Sequence, residues 1–299
     1  MYNHPKQLAI IGPTASGKSA LAIKIAKELD ADILSLDSLA IYKEIDIASA
    51  KPTKEEMDGI THYGIDLIYP NEPFDVTIYV ELYREVYKRA REKNRTLIIV
   101  GGTSFYLQTL LKGISNTPKL NEEEQAYVAH LLQDKQKAYE LLLKIDPHYI
   151  SKIASNDRYR IEKALAIYVA SKMAPSLYFE QNPPQPIIED RLPIYEISVE
   201  KEYLLNRIEK RTAMMLQDGL VEEVSYLKEK YGIAPHCMKA IGIKETLDFI
   251  EDRIDEKELA SLISIHTRQL AKRQNTFNKT QFKEKISGGC DSIYEEILR

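Results

Sequence analysis

The sequence predicts an α/β fold: a P-loop NTPase-like parallel sheet flanked by helices, with an all-helical insertion domain. Three observations lead to this prediction. A Gly-Lys-Ser loop joins an apolar run to a helical stretch, further apolar runs alternate with helical periodicity, and a long central segment has few strand signals. With 299 residues, 44% of them apolar, the chain can bury a core of this size. We expect a discontinuous core domain of residues 1–118 and 190–299 around an insertion of residues 119–189.

The first third of the chain supplies the sheet. Short apolar runs at residues 8–11, 33–36 and 96–100 alternate with helical periodicity at residues 20–29 and 80–92. This alternation is typical of parallel strands joined by helices. Ligands of such sheets bind beyond the carboxyl ends of the strands, so the residues that follow each run are candidate site residues.

The insertion and the C-terminal part are predicted from helical periodicity. Amphipathic segments cover residues 122–136, 137–145, 148–154 and 158–174. A proline-rich stretch at residues 182–186 ends the insertion, and residues 194–199 alternate with the two-residue period of a strand that returns to the first sheet. Helices are then predicted at residues 204–230, 239–251 and 255–274.

The loop after the first strand predicts a phosphate site. Its residues are Gly12, Pro13, Thr14, Ala15, Ser16, Gly17, Lys18 and Ser19. Glycines let successive backbone N–H groups point at a diphosphate, and the helix that follows adds the positive end of its dipole. Lys18 then neutralises a phosphate, and Ser19 is a candidate Mg²⁺ ligand. The alternative is a glycine-rich turn that binds nothing.

The other two strand ends decide between kinds of P-loop protein. The strand at residues 96–100 ends in Gly101-Gly102-Thr103, where ATPases and kinases commonly have an acid that helps to hold Mg²⁺. Thr103 fits a second phosphate contact, and a plain strand-to-helix turn is its alternative. Asp37, at the end of the second strand, has three open roles: Mg²⁺ ligand, proton acceptor or helix N-cap.

Charge and cysteine usage exclude some classes of protein. A net charge of −4 argues against indiscriminate coating of nucleic acid, although residues 268–285 carry six Lys or Arg and one acid. This basic stretch fits either phosphate-backbone binding or a solvated helix face. The two cysteines have no neighbours at metal-ligand spacing. Without a leader-like or membrane-spanning segment, we expect a cytoplasmic protein with no membrane partner.

Five segments together resemble the bacterial tRNA dimethylallyltransferases, also called isopentenyl-tRNA transferases. They are residues 12–19, 37–43, 46–52, 100–103 and 267–274, in the order and with the spacing of that family. The resemblance implies transfer of a dimethylallyl group from dimethylallyl diphosphate to N6 of the adenosine immediately 3′ of the anticodon, in tRNAs that read codons beginning with U. It also implies that the P-loop holds the prenyl diphosphate instead of ATP.

The resemblance assigns roles to particular residues. Lys18, Thr103 and Ser19-bound Mg²⁺ stabilise the leaving diphosphate, and Asp37 accepts the N6 proton. An arginine of the segment 207–211 also reaches the diphosphate, for which we choose Arg211 over Arg207. The tRNA anticodon stem-loop contacts fall on Asp37, Ser38, Leu39, Ala40, Thr103, Tyr159, Arg160, Ile161, Glu162, Lys163, Lys239, Ala240, Ile241, Gly242, Ile243, Lys244, Arg268, Lys272, Arg273 and Gln274.

Three positions depart from the family pattern. Ala40 stands where glutamine is usual, Ile243 where tyrosine is usual, and Phe277 where tryptophan is common. They affect recognition of the anticodon loop and leave the diphosphate residues intact. The rival functions are a small-molecule P-loop kinase and a nucleotide-dependent RNA-binding switch, and both of these require ATP. We expect a monomer.

Overall fold

The computed structural model describes residues 6–115, 117–188 and 190–299. Residues 1–5, 116 and 189, which belong to the predicted domain ranges, lie outside the described residues. The strands are Gln7–Ile11 (β1), Ala31–Leu36 (β2), His62–Tyr63 (β3), Thr96–Gly101 (β4), Ile194–Ile197 (β5) and Ile286–Gly288 (β6). Within the described chain these strands form a six-stranded sheet of order β3-β2-β4-β1-β5-β6, and every pairing is parallel. The predicted α/β fold with a parallel sheet is confirmed.

The centre of the sheet is apolar because helices cover both of its faces. All residues of β1 are buried, and β4 is buried from Thr96 to Val100, as expected for strands of a parallel sheet. The register sets Ile11 opposite Gly101 and Leu36 opposite Gly101. The carboxyl ends of β1, β2 and β4 therefore lie side by side at one edge.

Most helices belong to a first compact unit of residues 1–110 and 188–299. The helices that begin in this unit are Lys18–Glu28 (α1), Lys54–Met57 (α2), Val76–Glu92 (α3), Ser104–Lys112 (α4), Lys201–Gln217 (α10), Leu220–Tyr231 (α11), Ile243–Ile250 (α12), Glu256–Gln281 (α13) and Cys290–Leu298 (α14). Leu21 and Ile25 of α1 pack in one apolar cluster with Leu8 and Ile10 of β1. A second cluster joins α11, α12 and α13 to the chain segment that follows β2.

The second unit, residues 111–187, has its own core. Its helices are Glu122–Leu131 (α5), Lys135–Ile145 (α6), Pro147–Ile150 (α7), Arg158–Ser171 (α8) and Pro175–Gln181 (α9). Buried Val128, Leu142, Ile161 and Leu165 form one apolar cluster with their neighbours in this unit. The unit is helical throughout its regular structure, as predicted for the insertion, and the insertion predicted at 119–189 overlaps its range.

Several predicted elements differ from the structure. The single helix predicted at 204–230 is wrong, because Gly219 has a φ of 97° and separates α10 from α11. The helix predicted at 239–251 begins only at Ile243, after a 3₁₀ turn at His236–Lys239. Strands β3 and β6 are two and three residues long and were not predicted. No helix among the described residues has the length and apolar character needed to cross a bilayer.

Candidate functional site

The loop between β1 and α1 has the geometry of an anion site. Gly17 is the N-cap of α1 and has a φ of 94°, which is favourable for glycine and strained for other residues. The loop closes with Ser16 N–H donating to the Pro13 carbonyl at 3.3 Å. The buried Ser16 Oγ has no hydrogen-bond partner among the described residues. A hydroxyl donor beside a helix N-terminus is well placed for a phosphate oxygen.

Two cations lie beside this loop in surroundings that disfavour their charge. Lys18 is 8% exposed, and its Nζ donates to the Pro13 carbonyl at 2.6 Å. Burial and then the charge of Arg211 lower the pKa of Lys18 to about 8, while Asp37 acts in the opposite direction. Burial likewise lowers the pKa of Arg211, with Asp37 again opposing. An anion bound here would relieve the cost of both charges.

Asp37 holds a turn and is not the helix N-cap that was one of its three predicted roles. Its Oδ1 accepts hydrogen bonds from Leu39 N–H at 2.8 Å and Ala40 N–H at 3.2 Å, so the side chain caps a turn at 38–41 that does not become a helix. No hydrogen bond of the described residues uses Oδ2. One carboxylate oxygen therefore holds the loop, and the other is available to a ligand or a proton.

Thr103 connects the ends of β4 and β2. Its Oγ1 accepts a hydrogen bond from Ser38 N–H at 3.2 Å and lies 3.5 Å from Ser38 Oγ. Its N–H donates to the Leu36 carbonyl at 3.0 Å. The predicted phosphate residue Thr103 is thus held next to the loop that carries Asp37.

Two helices from the C-terminal part hold Thr14 of the phosphate loop. Arg211 Nη1, on α10, donates to Thr14 Oγ1 at 3.1 Å. Gln274 Oε1, on α13, accepts from Thr14 N–H at 2.9 Å. Arg207 is exposed instead and donates to Tyr203 Oη at 3.1 Å. This geometry favours Arg211 over Arg207 as the arginine of the site.

The donor set suits a hard divalent cation carried with a phosphate ligand. Ser19 is exposed in the first turn of α1, and Asp37 Oδ2 is a carboxylate oxygen of the same site. Mg²⁺ is ordinarily bound through one or two protein oxygens together with phosphate oxygens and water. In the described ranges, no three or more His, Cys, Asp or Glu side chains group as a metal site. Both cysteines are free, and burial raises the pKa of each thiol.

The predicted tRNA contacts of the first unit differ in accessibility. Exposed side chains are Ser38, Lys239, Lys244, Lys272 and Arg273. Arg268 is half-buried, with Nη2 3.8 Å from Glu209 Oε1. Ala40 and Ile243 are buried, so their side chains serve the core, whereas Leu39, Ala240 and Ile241 are partly buried. Gly242 N–H donates to buried Glu245 at 2.7 Å, which fixes the turn between Lys239 and Lys244.

The predicted contacts of the second unit lie on the first turns of α8. Tyr159 is 65% exposed, and Lys163 Nζ lies 5.5 Å from the centre of its ring. Arg160 pairs with Asp157 at 3.1 Å, and Glu162 is exposed. Ile161 is fully buried in the core of this unit, so it cannot present its side chain to a partner.

Sequence reasoning missed two sets of long-range contacts. Gln274 was predicted as a tRNA contact, but its amide also reaches the Gly102 carbonyl through Nε2 at 3.0 Å. Glu223 of α11 accepts from three consecutive backbone N–H groups, those of Asp46, Ile47 and Ala48, at 2.7–2.9 Å. No local pattern identifies either residue, because the partners lie more than 170 positions away in the chain.

Comparisons with known proteins show which family the chain resembles in sequence and in fold. The family model described as IPP transferase matches residues 40–281. The tRNA dimethylallyltransferase of Sulfurovum sp. (strain NBC37-1) is 54% identical over 298 residues, which cover 99% of each chain. A solved tRNA delta(2)-isopentenylpyrophosphate transferase from Staphylococcus epidermidis is 31% identical with a TM-score of 0.69, covering 98% of this chain and 97% of that chain. A solved eukaryotic dimethylallyltransferase acting on tRNA is 25% identical with a TM-score of 0.83, covering 95% of this chain and 74% of that chain.

Proposed function

The chain belongs to the IPP transferase family, and on that premise we propose that it is a tRNA dimethylallyltransferase. It transfers the dimethylallyl group of dimethylallyl diphosphate to N6 of the adenosine immediately 3′ of the anticodon, in tRNAs that read codons beginning with U. The products are N6-(dimethylallyl)adenosine and diphosphate. We propose that the enzyme acts as a monomer in the cytoplasm, where its tRNA substrate is found.

One observation carries the proposal: buried Lys18, partly buried Arg211 and the phosphate loop are close to the Asp37 carboxylate, one oxygen of which makes no hydrogen bond among the described residues. Lys18 and Arg211 both have pKa values lowered by burial, and each is influenced electrostatically by Asp37. A bound diphosphate supplies negative charge that offsets the cost of keeping Lys18 and Arg211 charged in these surroundings. The carboxylate of Asp37 serves a different purpose, because a carboxylate beside a diphosphate is useful when a proton has to be removed.

In the proposed reaction, N6 of the adenosine attacks the allylic carbon that bears the diphosphate. A nitrogen–carbon bond forms, the carbon–oxygen bond breaks, and the diphosphate leaves with the bonding electron pair. N6 becomes acidic as it gains positive charge, and its proton passes to the Asp37 carboxylate. Lys18, Arg211, Thr103 and the loop N–H groups stabilise the charge that accumulates on the leaving group.

Mg²⁺ is the cation that we propose for this site. Ser19 Oγ is the protein oxygen that would hold it together with the diphosphate, which leaves Asp37 Oδ2 for the proton. When bound, it supplies Lewis-acid stabilisation of the leaving diphosphate. The residues named above position the diphosphate and remove the proton.

The adenosine must leave its stack in the anticodon loop to reach Asp37, as in other enzymes that act on a base. The proposed phosphate contacts are Arg160 and Lys163 on α8, Lys239 before α12, Lys244 in the first turn of α12, and Arg268, Lys272 and Arg273 on α13. Lysine and arginine contacts to phosphates position the RNA, while its bases are read separately. Tyr159, exposed at the start of α8, offers an aromatic face for stacking.

The proposal is tested by incubating the protein with unmodified tRNA, Mg²⁺ and dimethylallyl diphosphate, followed by mass spectrometry of the nucleosides. We expect adenosine that carries one additional five-carbon unit. A parallel reaction contains ATP in place of the prenyl donor. Release of ADP without any prenylated nucleoside would instead identify a kinase, and a nucleotide-dependent change in RNA affinity alone would identify an RNA-binding switch.

A matched pair of variants tests the role of Asp37. Asp37→Asn keeps an acceptor for Leu39 N–H and Ala40 N–H and removes the base, so prenyl transfer should fall at least about 100-fold while anticodon stem-loop binding is retained. The control is Asp30→Asn, since Asp30 lies just before β2, at the opposite end of the same strand. Full activity of Asp37→Asn would show that the Asp37 carboxylate is not the proton acceptor.

A further inference from the structure

The side-chain amide of Gln274 joins two loops that neighbour each other at the carboxyl edge of the sheet. Its Oε1 accepts from Thr14 N–H at 2.9 Å, in the loop after β1. Its Nε2 donates to the Gly102 carbonyl at 3.0 Å, in the loop after β4. One amide group therefore satisfies one backbone donor and one backbone acceptor on two different loops.

Apolar packing on the preceding turn of α13 sets the position of this amide. Ala271 of α13 forms a small buried cluster with Leu204 and Ile208 of α10, and Ala15 of the phosphate loop packs against it. Gln274 follows Ala271 by three residues and thus lies on the same face of the helix. Arg211 follows Ile208 by three residues on α10 in the same way. The two helices back the phosphate loop at Ala15 and bind it at Thr14.

The fit at Gly102 leaves no space for a side chain while the Gln274 amide keeps its position. A Cβ added to Gly102 would lie 2.3 Å from Gln274 Nε2. The backbone at Gly102 has no positive φ, so its lack of a side chain is explained by the approach of the amide. Glycine at this position therefore serves the contact with Gln274.

We propose that Gln274 is a positioning residue that sets the spacing between the two diphosphate-binding loops. This inference rests on the proposed function, in which Thr103 and the loop at 12–19 both stabilise the leaving diphosphate. Donors fixed in advance stabilise developing charge best, and a small displacement of one wall weakens that effect. Because the amide oxygen and one amide N–H bind the two loops, the Gln274 side chain affects diphosphate binding through the position of those loops.

A positioning role and a direct tRNA contact of Gln274 predict kinetic effects on different substrates. In Gln274→Leu, the dissociation constant for inorganic diphosphate with Mg²⁺ and the KM for dimethylallyl diphosphate should each rise about tenfold, because the two loops that bind the diphosphate are no longer fixed in advance. The KM for tRNA should change by less than about twofold. Gly102→Ala displaces the amide while it leaves Gln274 in place, and it should give the same pattern.

The matched control is Gln281→Leu, on the same helix. Gln281 accepts a hydrogen bond from Gln108 of α4, one turn beyond the loop at Gly102. This variant should lower the thermal midpoint of unfolding without changing diphosphate binding. A rise in the KM for tRNA alone in Gln274→Leu, or unchanged diphosphate binding in both Gln274→Leu and Gly102→Ala, would overturn the inference. Failure of the proposed function would appear separately, as absence of prenyl transfer by the unaltered protein.

Discussion

Replacement of Lys18 by methionine should make the ligand-free protein more stable at pH 7 while it abolishes diphosphate binding. Lys18 is 8% exposed, and burial together with the nearby charge of Arg211 lowers its pKa from 10.5 to about 8. At pH 7 the amine is still mostly protonated, so the folded protein carries a charge in surroundings that disfavour it. Methionine has a similar length and carries no charge.

The direction and size of the effect follow from proton linkage. Between pH 8 and 10.5 the unfolded chain binds more protons at Lys18 than the folded chain does, so the free energy of unfolding rises with pH across this window. Below about pH 8 the whole cost of the buried charge is present. At about 1.4 kcal/mol for each pKa unit, the change from 10.5 to about 8 corresponds to ~3 kcal/mol. Loss of the hydrogen bond to the Pro13 carbonyl offsets ~1 kcal/mol of the gain.

The assay is urea unfolding of both proteins at pH 7 and pH 10, without diphosphate. The advantage of Lys18→Met at pH 7 should shrink by ~2 kcal/mol or more at pH 10. Lys27→Met, which removes an exposed lysine of the same helix, should differ from the unaltered protein by a similar amount at both values. Diphosphate with Mg²⁺ should raise the unfolding midpoint of the unaltered protein and leave that of Lys18→Met in place. The reasoning would be refuted if Lys18→Met and the unaltered protein differed in free energy of unfolding by the same amount at pH 7 and at pH 10.

Three other variants have distinct expected outcomes. Arg211→Lys should weaken diphosphate binding, measured by calorimetry, about tenfold because a fixed guanidinium fork is lost. Arg207→Lys should change this binding by less than about twofold. Equal effects of the two substitutions would contradict the choice of Arg211. Glu223→Ala leaves three backbone N–H groups without their acceptor and should lower the free energy of unfolding by ~2 kcal/mol. The comparison is Glu229→Ala at an exposed position of the same helix; a loss of the same size there would contradict a stabilising role of the Glu223 hydrogen bonds. EDTA should stop prenyl transfer, and added Mg²⁺ should restore it. Ser19→Ala should raise the Mg²⁺ concentration needed for the half-maximal rate. An unchanged Mg²⁺ requirement in this variant would exclude Ser19 as a ligand.

The elements that could be predicted from sequence are those whose cause is local. Gly17, Lys18 and Ser19 follow an apolar run and precede a helix, and that order alone indicates an anion-binding turn. Asp37 and Thr103 could be proposed because each lies within two residues of the end of a buried strand, and strand ends of a parallel sheet meet at one edge. The register of β1, β2 and β4 brings these three points together.

The parts that could not be predicted depend on partners far along the chain. The contact between Gln274 and Thr14 spans 260 positions, and no periodicity within α13 distinguishes this glutamine from Gln269 or Gln281. Strand β6 has three residues and is defined by its pairing with β5, so its own composition carries little information. The break between α10 and α11 depends on a single residue, Gly219, in the left-handed conformation within an otherwise helical pattern.

The second unit leaves and rejoins the first at adjacent backbone positions. The N–H of Ile188 donates to the carbonyl of Leu110 at 3.0 Å, so the intervening polypeptide is closed at its base. A segment whose two ends are joined in this way can be shortened, lengthened or exchanged while the flanking strands β4 and β5 keep their positions. We therefore expect a short graft joining residues 110 and 188 to preserve the sheet and the phosphate loop.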